Sequence, residues 1–107
     1  MVGADLLVKN TIEIDTLVFC RSPDSISTVL EGETVILDME SGVYSGLNEV
    51  GTVMWTLLEN QTTFAELQQT ILTEFDVTLE ECSKNLISFL KELELNKLIE
   101  VRIETNT

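Results

Sequence analysis

The apolar residues of this chain change their spacing near Asn48, and this change limits the possible folds more than any other feature of the sequence. Before Asn48, short runs rich in β-branched residues are separated by Gly-containing turns, a pattern typical of strands. After it, Val50, Val53, Met54 and Leu57 recur at spacings of three, one and three, which is typical of an amphipathic helix. The sequence therefore predicts a mixed domain in which a small sheet precedes a set of helices.

Three strands are predicted in quick succession, at residues 26–30, 34–37 and 43–47. Glu31 and Gly32 form a two-residue turn between the first two strands, because Gly readily adopts positive φ. A second turn, over residues 38–42, also ends in Gly. Two tight turns produce an antiparallel meander, so the third strand is predicted to lie at the edge of the sheet.

Three helices are predicted after the strands, each with its own start signal. Asn48 is a good N-cap for the first helix. Thr63 with Glu66, and Thr78 with Glu81, have the spacing of capping boxes, in which the two side chains satisfy free backbone N–H groups. These signals place the second and third helices.

The third helix is predicted to be the longest, with Asn96 as a left-handed stop. Residues 98–103 return to strand-like composition. Trp55 lies one position off the apolar stripe of the first helix and is expected to cover the sheet or a dimer surface. The predicted fold class is α+β and winged helix-turn-helix-like: a three-stranded antiparallel meander, three helices and a short terminal strand.

The N-terminal residues are harder to place than the rest of the chain. Residues 11–21 alternate imperfectly between polar and apolar positions. Residues 1–20 are predicted to form an extension, which is an extra strand, a docking arm or a partly disordered tail. Ser22, Pro23 and Asp24 give a turn signal. Residues 21–107 are therefore predicted to form the compact domain.

The composition excludes several classes of function. The chain has 107 residues, 19 acidic and six basic, for a net charge of −13. Such a chain repels the phosphates of nucleic acid and the anionic surface of a membrane. It has no His and only two separated Cys, Cys20 and Cys82, so we expect no metal, no cofactor and no catalysis. The start lacks a secretion signal and no apolar run spans a bilayer, so a cytoplasmic protein is expected.

Several segments, in order, resemble the PqqD-like family, which is made of recognition elements for ribosomally synthesised and modified peptides. The resemblance covers residues 21–101, and it depends on residues 30–51 (an aliphatic strand, an acidic turn ending in Gly, an aromatic residue and Leu-Asn), 53–58, 74–77, 89–93 and 98–99. It implies non-catalytic binding of the leader segment of a precursor peptide, as in the biosynthesis of coenzyme PQQ and lasso peptides. The implied partners are that leader and its modifying enzymes: a leader peptidase, a cyclase or a radical enzyme.

The resemblance also implies a site. The leader would add as a strand to the third strand, in a groove beside the third helix. On that helix, Lys84, Ile87 and Lys91 form one stripe beside the core face. We interpret Ile87 as an apolar contact for the leader and the two lysines as charges that steer the carboxylates of an acidic leader. The predicted peptide-binding residues are Val43, Tyr44, Ser45, Gly46, Leu47, Lys84, Ile87, Ser88 and Lys91.

Other interpretations remain open at this point. The two lysines could belong to an ordinary solvated helix face, and Ile87 could belong to the edge of the core. Which side of the third strand faces the helix is not determined by the sequence. The alternative function is an acidic winged-helix domain for protein interaction or transcription regulation, and a third is mimicry of nucleic-acid charge. The chain could act as a monomer or a homodimer.

Overall fold

A computed structural model describes residues 14–103, which form six strands and three α-helices after a short 3-10 turn at Ile14–Thr16. The strands are β1 (Leu17–Arg21), β2 (Ser25–Leu30), β3 (Glu33–Asp38), β4 (Val43–Leu47), β5 (Thr62–Thr63) and β6 (Ile99–Ile103). The helices are α1 (Glu49–Leu57), α2 (Phe64–Glu74) and α3 (Leu79–Leu95). The mixed class, the three predicted helices and the terminal strand are confirmed, and the winged helix-turn-helix description stays a prediction.

The strands form two antiparallel three-stranded sheets, in the orders β2-β3-β4 and β5-β1-β6. The first sheet is the predicted meander, and among the described residues β4 lies at its edge as expected. Glu31 and Gly32 have φ angles of 52° and 82°, so both turn residues between β2 and β3 are left-handed. Neither β2 nor β4 contains a charged residue, so neither edge carries the Lys that often protects an edge strand.

Strand β1 is the extra strand that the sequence left as one alternative for residues 1–20. It pairs with β5 and β6 and does not pair with β4. Its first three residues, Leu17, Val18 and Phe19, are all buried, and Leu17 and Phe19 belong to the main apolar core. The predicted boundary after residue 20 thus falls inside a strand of the second sheet. Residues 1–13 and 104–107 lie outside the described residues.

The helix starts are those that the capping signals predicted. The Asn48 side chain accepts a hydrogen bond from the Gly51 N–H at 2.9 Å. Complete capping boxes are present at Thr63 and Thr78, with Glu66 and Glu81 as their partners. Each cap satisfies backbone donors that a helix N-terminus otherwise leaves free, and thereby fixes where the chain turns.

The end of α3 differs from the prediction. Asn96 has φ −89°, and the left-handed residue is Lys97, with φ 60°. The Lys97 N–H donates to the Glu94 carbonyl at 3.0 Å and the Leu98 N–H to the Leu93 carbonyl at 2.9 Å. These two bonds define a Schellman motif, which is completed by burial of both leucines. Asn adopts the left-handed conformation more often than Lys does, but the Schellman motif requires it at the residue after the C-cap, which is Lys97.

The core lies between the helices and the two sheets. Trp55 is 1% exposed, and its indole N–H donates to the Ser27 hydroxyl at 2.9 Å, so it covers the sheet as the sequence suggested. Thr34, in β3, donates a hydrogen bond to the Thr52 hydroxyl of α1 at 2.8 Å. Buried polar groups need such partners, so these two bonds fix α1 against the β2-β3-β4 sheet.

Residues 14–103 contain neither a membrane-spanning helix nor a metal-binding cluster. No helix there is both long and apolar enough to span a bilayer. No group of three or more His, Cys, Asp and Glu side chains is arranged to hold a metal ion. Cys20 and Cys82 are free thiols, one half-buried and one buried.

Candidate peptide-binding groove

The register of the first sheet shows which side of β4 faces the helices. In β3, Thr34, Ile36 and Asp38 are buried and point toward the core. Strand partners share a face, so the β4 residues paired with these three point the same way. They are Leu47, Ser45 and Val43, respectively. Tyr44 and Gly46 therefore lie on the outer face of the sheet, where the Tyr44 side chain is 69% exposed.

A groove runs between β4 and α3. Its central cavity has a volume of about 210 Å³ and is lined from the sheet side by Ser45, Gly46 and Leu47, from the start of α1 by Asn48 and Gly51, and from α3 and the chain after it by Phe89, Glu92, Leu93, Asn96 and Leu98. Within the described residues β4 has one strand neighbour, β3. The other edge of β4 therefore offers unpaired backbone N–H and C=O groups beside this cavity.

The groove continues in both directions. Toward the turn between β3 and β4, a cavity of about 280 Å³ shares Ser45, Asn96 and Leu98 with the central one. Toward the helices, a cavity of about 300 Å³ shares Asn48, Gly51 and Phe89 with it. Shared lining residues make the three cavities one continuous groove.

The charged residues of the groove lie at its turn end and on α3. Asp38, Glu40 and Lys97 line the cavity near the turn, and Glu92 lines the central cavity. Asp38 is buried and already bound, because it accepts hydrogen bonds from the Ser41 hydroxyl at 2.8 Å and the Glu40 N–H at 3.3 Å. The groove thus carries more negative than positive charge, like the chain as a whole.

The predicted site residues divide into two groups. Val43, Ser45, Gly46 and Leu47, all from β4, line the groove, and their role in peptide binding stays a prediction. Tyr44 belongs to the same strand but lies on its outer face. The four residues predicted on α3, which are Lys84, Ile87, Ser88 and Lys91, line none of the three cavities.

The α3 residues that do line the groove form a different stripe. Asn85, Phe89, Glu92 and Asn96 follow one another at spacings of four, three and four, so they lie on one side of the helix. Lys84, Ile87 and Lys91 lie on the other side of the buried core face. Ile87 is half-buried and packs against the core, which is the alternative that the sequence left open for it. The spacing alone could have suggested the second stripe, but nothing in the sequence tells which stripe faces β4.

Comparisons with known proteins agree on one family. The family model described as "Coenzyme PQQ synthesis protein D (PqqD)" matches residues 33–99, more than half of the chain. The solved structure "TbiB1 in Complex with the TbiA(beta) Leader Peptide" is 30% identical, with a TM-score of 0.71, and the match covers 75% of this chain and 93% of that one. No curated protein matches the chain.

A more distant structure shows the same fold. "Lasso peptide synthetase B1 complexed with the leader peptide" is 21% identical, with a TM-score of 0.68, and the match covers 76% of this chain and 95% of that one. The matched region of the family model runs from the start of β3 to the start of β6 and so contains both sides of the groove. The resemblance inferred from the sequence is thereby confirmed, and the chain belongs to the PqqD family.

Proposed function

We propose that this chain binds the leader segment of a ribosomally made precursor peptide in the groove between β4 and α3. The observation that carries the proposal is the outer edge of β4, which has no strand partner among residues 14–103 and lies beside a continuous groove. A disordered leader has no core of its own, so it needs backbone pairing together with side-chain contacts to offset its ordering cost. The edge of β4 offers the pairing, and α3 and the start of α1 offer the contacts.

The bound leader adds to β4 as a further strand of the β2-β3-β4 sheet. Alternate side chains of an added strand point into the groove, and the others point toward the exposed outer face that carries Tyr44. TbiB1, the relative at 30% identity, was solved with a leader peptide, which supports a leader as the ligand of this chain. The alternative of a winged-helix regulator has no comparable support among the relatives.

The chain acts without catalysing a reaction and presents the leader to modifying enzymes: a leader peptidase, a cyclase or a radical enzyme. A polypeptide without His lacks the usual general base. Lys84 and Lys91 lie outside the groove, so their proposed role is local electrostatic steering of acidic leader residues beyond the groove rather than contact within it. Such steering weakens as salt screens the charges, whereas backbone pairing is much less sensitive to salt.

The groove is tested by filling it. Glu92 is exposed and lines the central cavity, and Lys84 is exposed on α3 but lines no cavity. The Glu92→Trp and Lys84→Trp variants therefore form a matched pair. The probe is a fluorescein-labelled synthetic peptide with the leader sequence of the precursor encoded beside this chain, and its anisotropy is titrated with each protein.

Wild type is expected to bind with micromolar or tighter affinity, about −8 kcal/mol or better. Glu92→Trp should weaken binding by about tenfold or more, or about 1.4 kcal/mol, while Lys84→Trp should change it by less than about threefold. The reverse ranking would place the site on the lysine side of α3 and overturn the groove assignment. No saturable binding to wild type would overturn the function itself.

A further inference from the structure

Strand β2 forms the other edge of the β2-β3-β4 sheet, on the side away from the groove. Among residues 14–103 it pairs with β3 alone, in a register that is unbroken from Ser25 to Leu30. It contains no charged residue, no proline and no bulge, which are the features that usually protect an edge strand. The strand is therefore open to pairing with a further strand.

The side chains of β2 are exposed along most of its length. Five of its six residues are exposed, and three of these are large and apolar: Ile26 at 52%, Val29 at 56% and Leu30 at 60%. Ile26 lies on the outer face of the sheet, in one row with Leu37 and Tyr44. Apolar side chains that are exposed together along one edge strand favour burial by a partner.

The hydrogen bonds of β2 show which of its backbone groups point away from the sheet. The Met39 N–H donates to the Asp24 carbonyl at 3.0 Å, so Asp24 and every second residue after it bond to β3. The N–H and C=O groups of Ser27 and Val29 lie between these positions and therefore point outward. They are placed to bond a neighbouring strand.

The strand is complementary to a second copy of itself. In an antiparallel pair centred on Thr28, Ser27 of each copy lies opposite Val29 of the other, and these residues exchange four backbone hydrogen bonds. In the same register Ile26 lies opposite Leu30 of the second copy, so the exposed apolar side chains of the outer face cover each other. Moving the centre by one residue in either direction pairs neither Ile26 nor Leu30 with an apolar side chain.

We propose that two copies of this chain associate through their β2 strands and form one six-stranded antiparallel sheet. A second copy is favoured over a disordered peptide, because β2 lines none of the three cavities and an ordered strand loses less entropy on pairing. The inference does not depend on the proposed function. It leaves both grooves open, since the two β4 strands become the outer edges, about 24 Å apart at about 4.8 Å per strand spacing.

Sedimentation equilibrium at increasing protein concentration tests the association. The average mass should rise from one chain toward two at micromolar concentrations, because an interface of one strand pair is at the small end of specific interfaces. Thr28→Glu places two carboxylates opposite each other at the centre and should weaken the dimer by about tenfold or more. Gln69→Glu, at an exposed position of α2, has the same net charge and should change the dimer by less than about threefold.

Circular dichroism checks that both variants are folded. A wild-type chain that stays monomeric would overturn the proposal. Equal weakening by the two variants would also overturn it, because the effect would then come from overall charge and not from β2.

The acidic residues beside β2 give a variant that should strengthen the dimer. In the proposed register Glu31 of one copy lies near Asp24 of the other, at both ends of the paired segment, and like charges there oppose association. Glu31→Asn removes this repulsion, and Asn tolerates the left-handed φ of 52° at this position. It should strengthen the dimer by about threefold or more. Glu80→Gln, exposed at the start of α3, changes the net charge equally, and an equal effect would contradict the interface.

Cysteine cross-linking tests the register, in a chain that also carries Cys20→Ser. Thr28→Cys puts the two new thiols directly opposite each other, where the Cβ atoms of a strand pair are about 4.5–5.5 Å apart. Leu30→Cys is the control, because its two thiols would lie four residues apart along the paired strands, too far for a disulfide. Under mild oxidation the Thr28→Cys dimer should form at least about fivefold faster. Equal rates would overturn the proposed pairing, and since no leader is used, the proposed function would still stand.

Discussion

Replacing Phe19 by alanine should remove a large part of the stability of this domain. Phe19 is 0% exposed and lies in β1, with strand partners on both sides. Truncating a buried Phe to Ala costs about 3–5 kcal/mol, because apolar burial is lost and a cavity is left. Domains of this size are stable by about 5–15 kcal/mol, so the variant should lose from about a fifth of this stability to nearly all of it. The melting temperature should fall by roughly 12 °C or more, at about 4–8 °C per kcal/mol.

Urea denaturation followed by circular dichroism measures this loss. The matched control is Ile26→Ala in β2, because Ile26 is 52% exposed and its truncation should cost about 1 kcal/mol or less. The m-value reports whether the whole domain still unfolds as one unit. Equal losses for the two variants would contradict the reasoning, because β1 would then lie outside the cooperative domain, which would begin near residue 21.

Three further variants test local features. Thr78→Ala removes the capping box of α3 and should lower the free energy of unfolding, measured by urea denaturation, by about 1 kcal/mol. A loss below a few tenths of a kcal/mol would show that the cap is dispensable. Lys97→Gly relieves a left-handed residue and should stabilise by about 1 kcal/mol, whereas a lower melting temperature would mean that the lysine side chain matters more than its backbone strain. Hydrogen bonds from the Thr63 N–H and the Thr62 hydroxyl lower the pKa of Glu66 below its ordinary 4.5. A lowered folded-state pKa adds stability that is present above the unfolded value and is lost as the pH falls through the folded one. The stability advantage of wild type over Glu66→Gln should therefore shrink as the pH falls below about 4, and an advantage that grows toward acid would contradict this sign.

Local signals in the sequence were sufficient for most of the fold. The bounds of β4 and the caps at Asn48, Thr63 and Thr78 follow from turn and capping chemistry within a few residues. Strand β5, which is only two residues long, could not be predicted, because it exists through pairing with β1 across more than forty positions. The pairing of β1 with β6 could not be predicted for the same reason, since long-range pairing leaves little mark on the sequence of either strand alone.

The candidate site was predictable on its strand side and less so on its helix side. An uncharged edge strand after two tight turns is visible in the sequence. Helix α3, however, has two polar stripes beside its core face, and the lysine stripe drew attention because basic residues are scarce in this chain. The stripe that faces β4 carries Phe89 and Glu92. Only the orientation of α3 beside the sheet decides which of the two stripes faces β4. The binding role of Lys84 and Lys91 stays a prediction.

The central claim is strand addition to β4, and backbone N-methylation of the leader tests it most directly. Each leader amide is methylated in turn, and the affinity for wild-type protein is measured by competition against the labelled parent leader. In an added strand, alternate residues direct their N–H groups toward β4. Methylation should therefore weaken binding by about fivefold or more at every second position across the paired segment, and much less at the positions between. Losses without this alternation would contradict strand addition, even if the leader still occupied the groove.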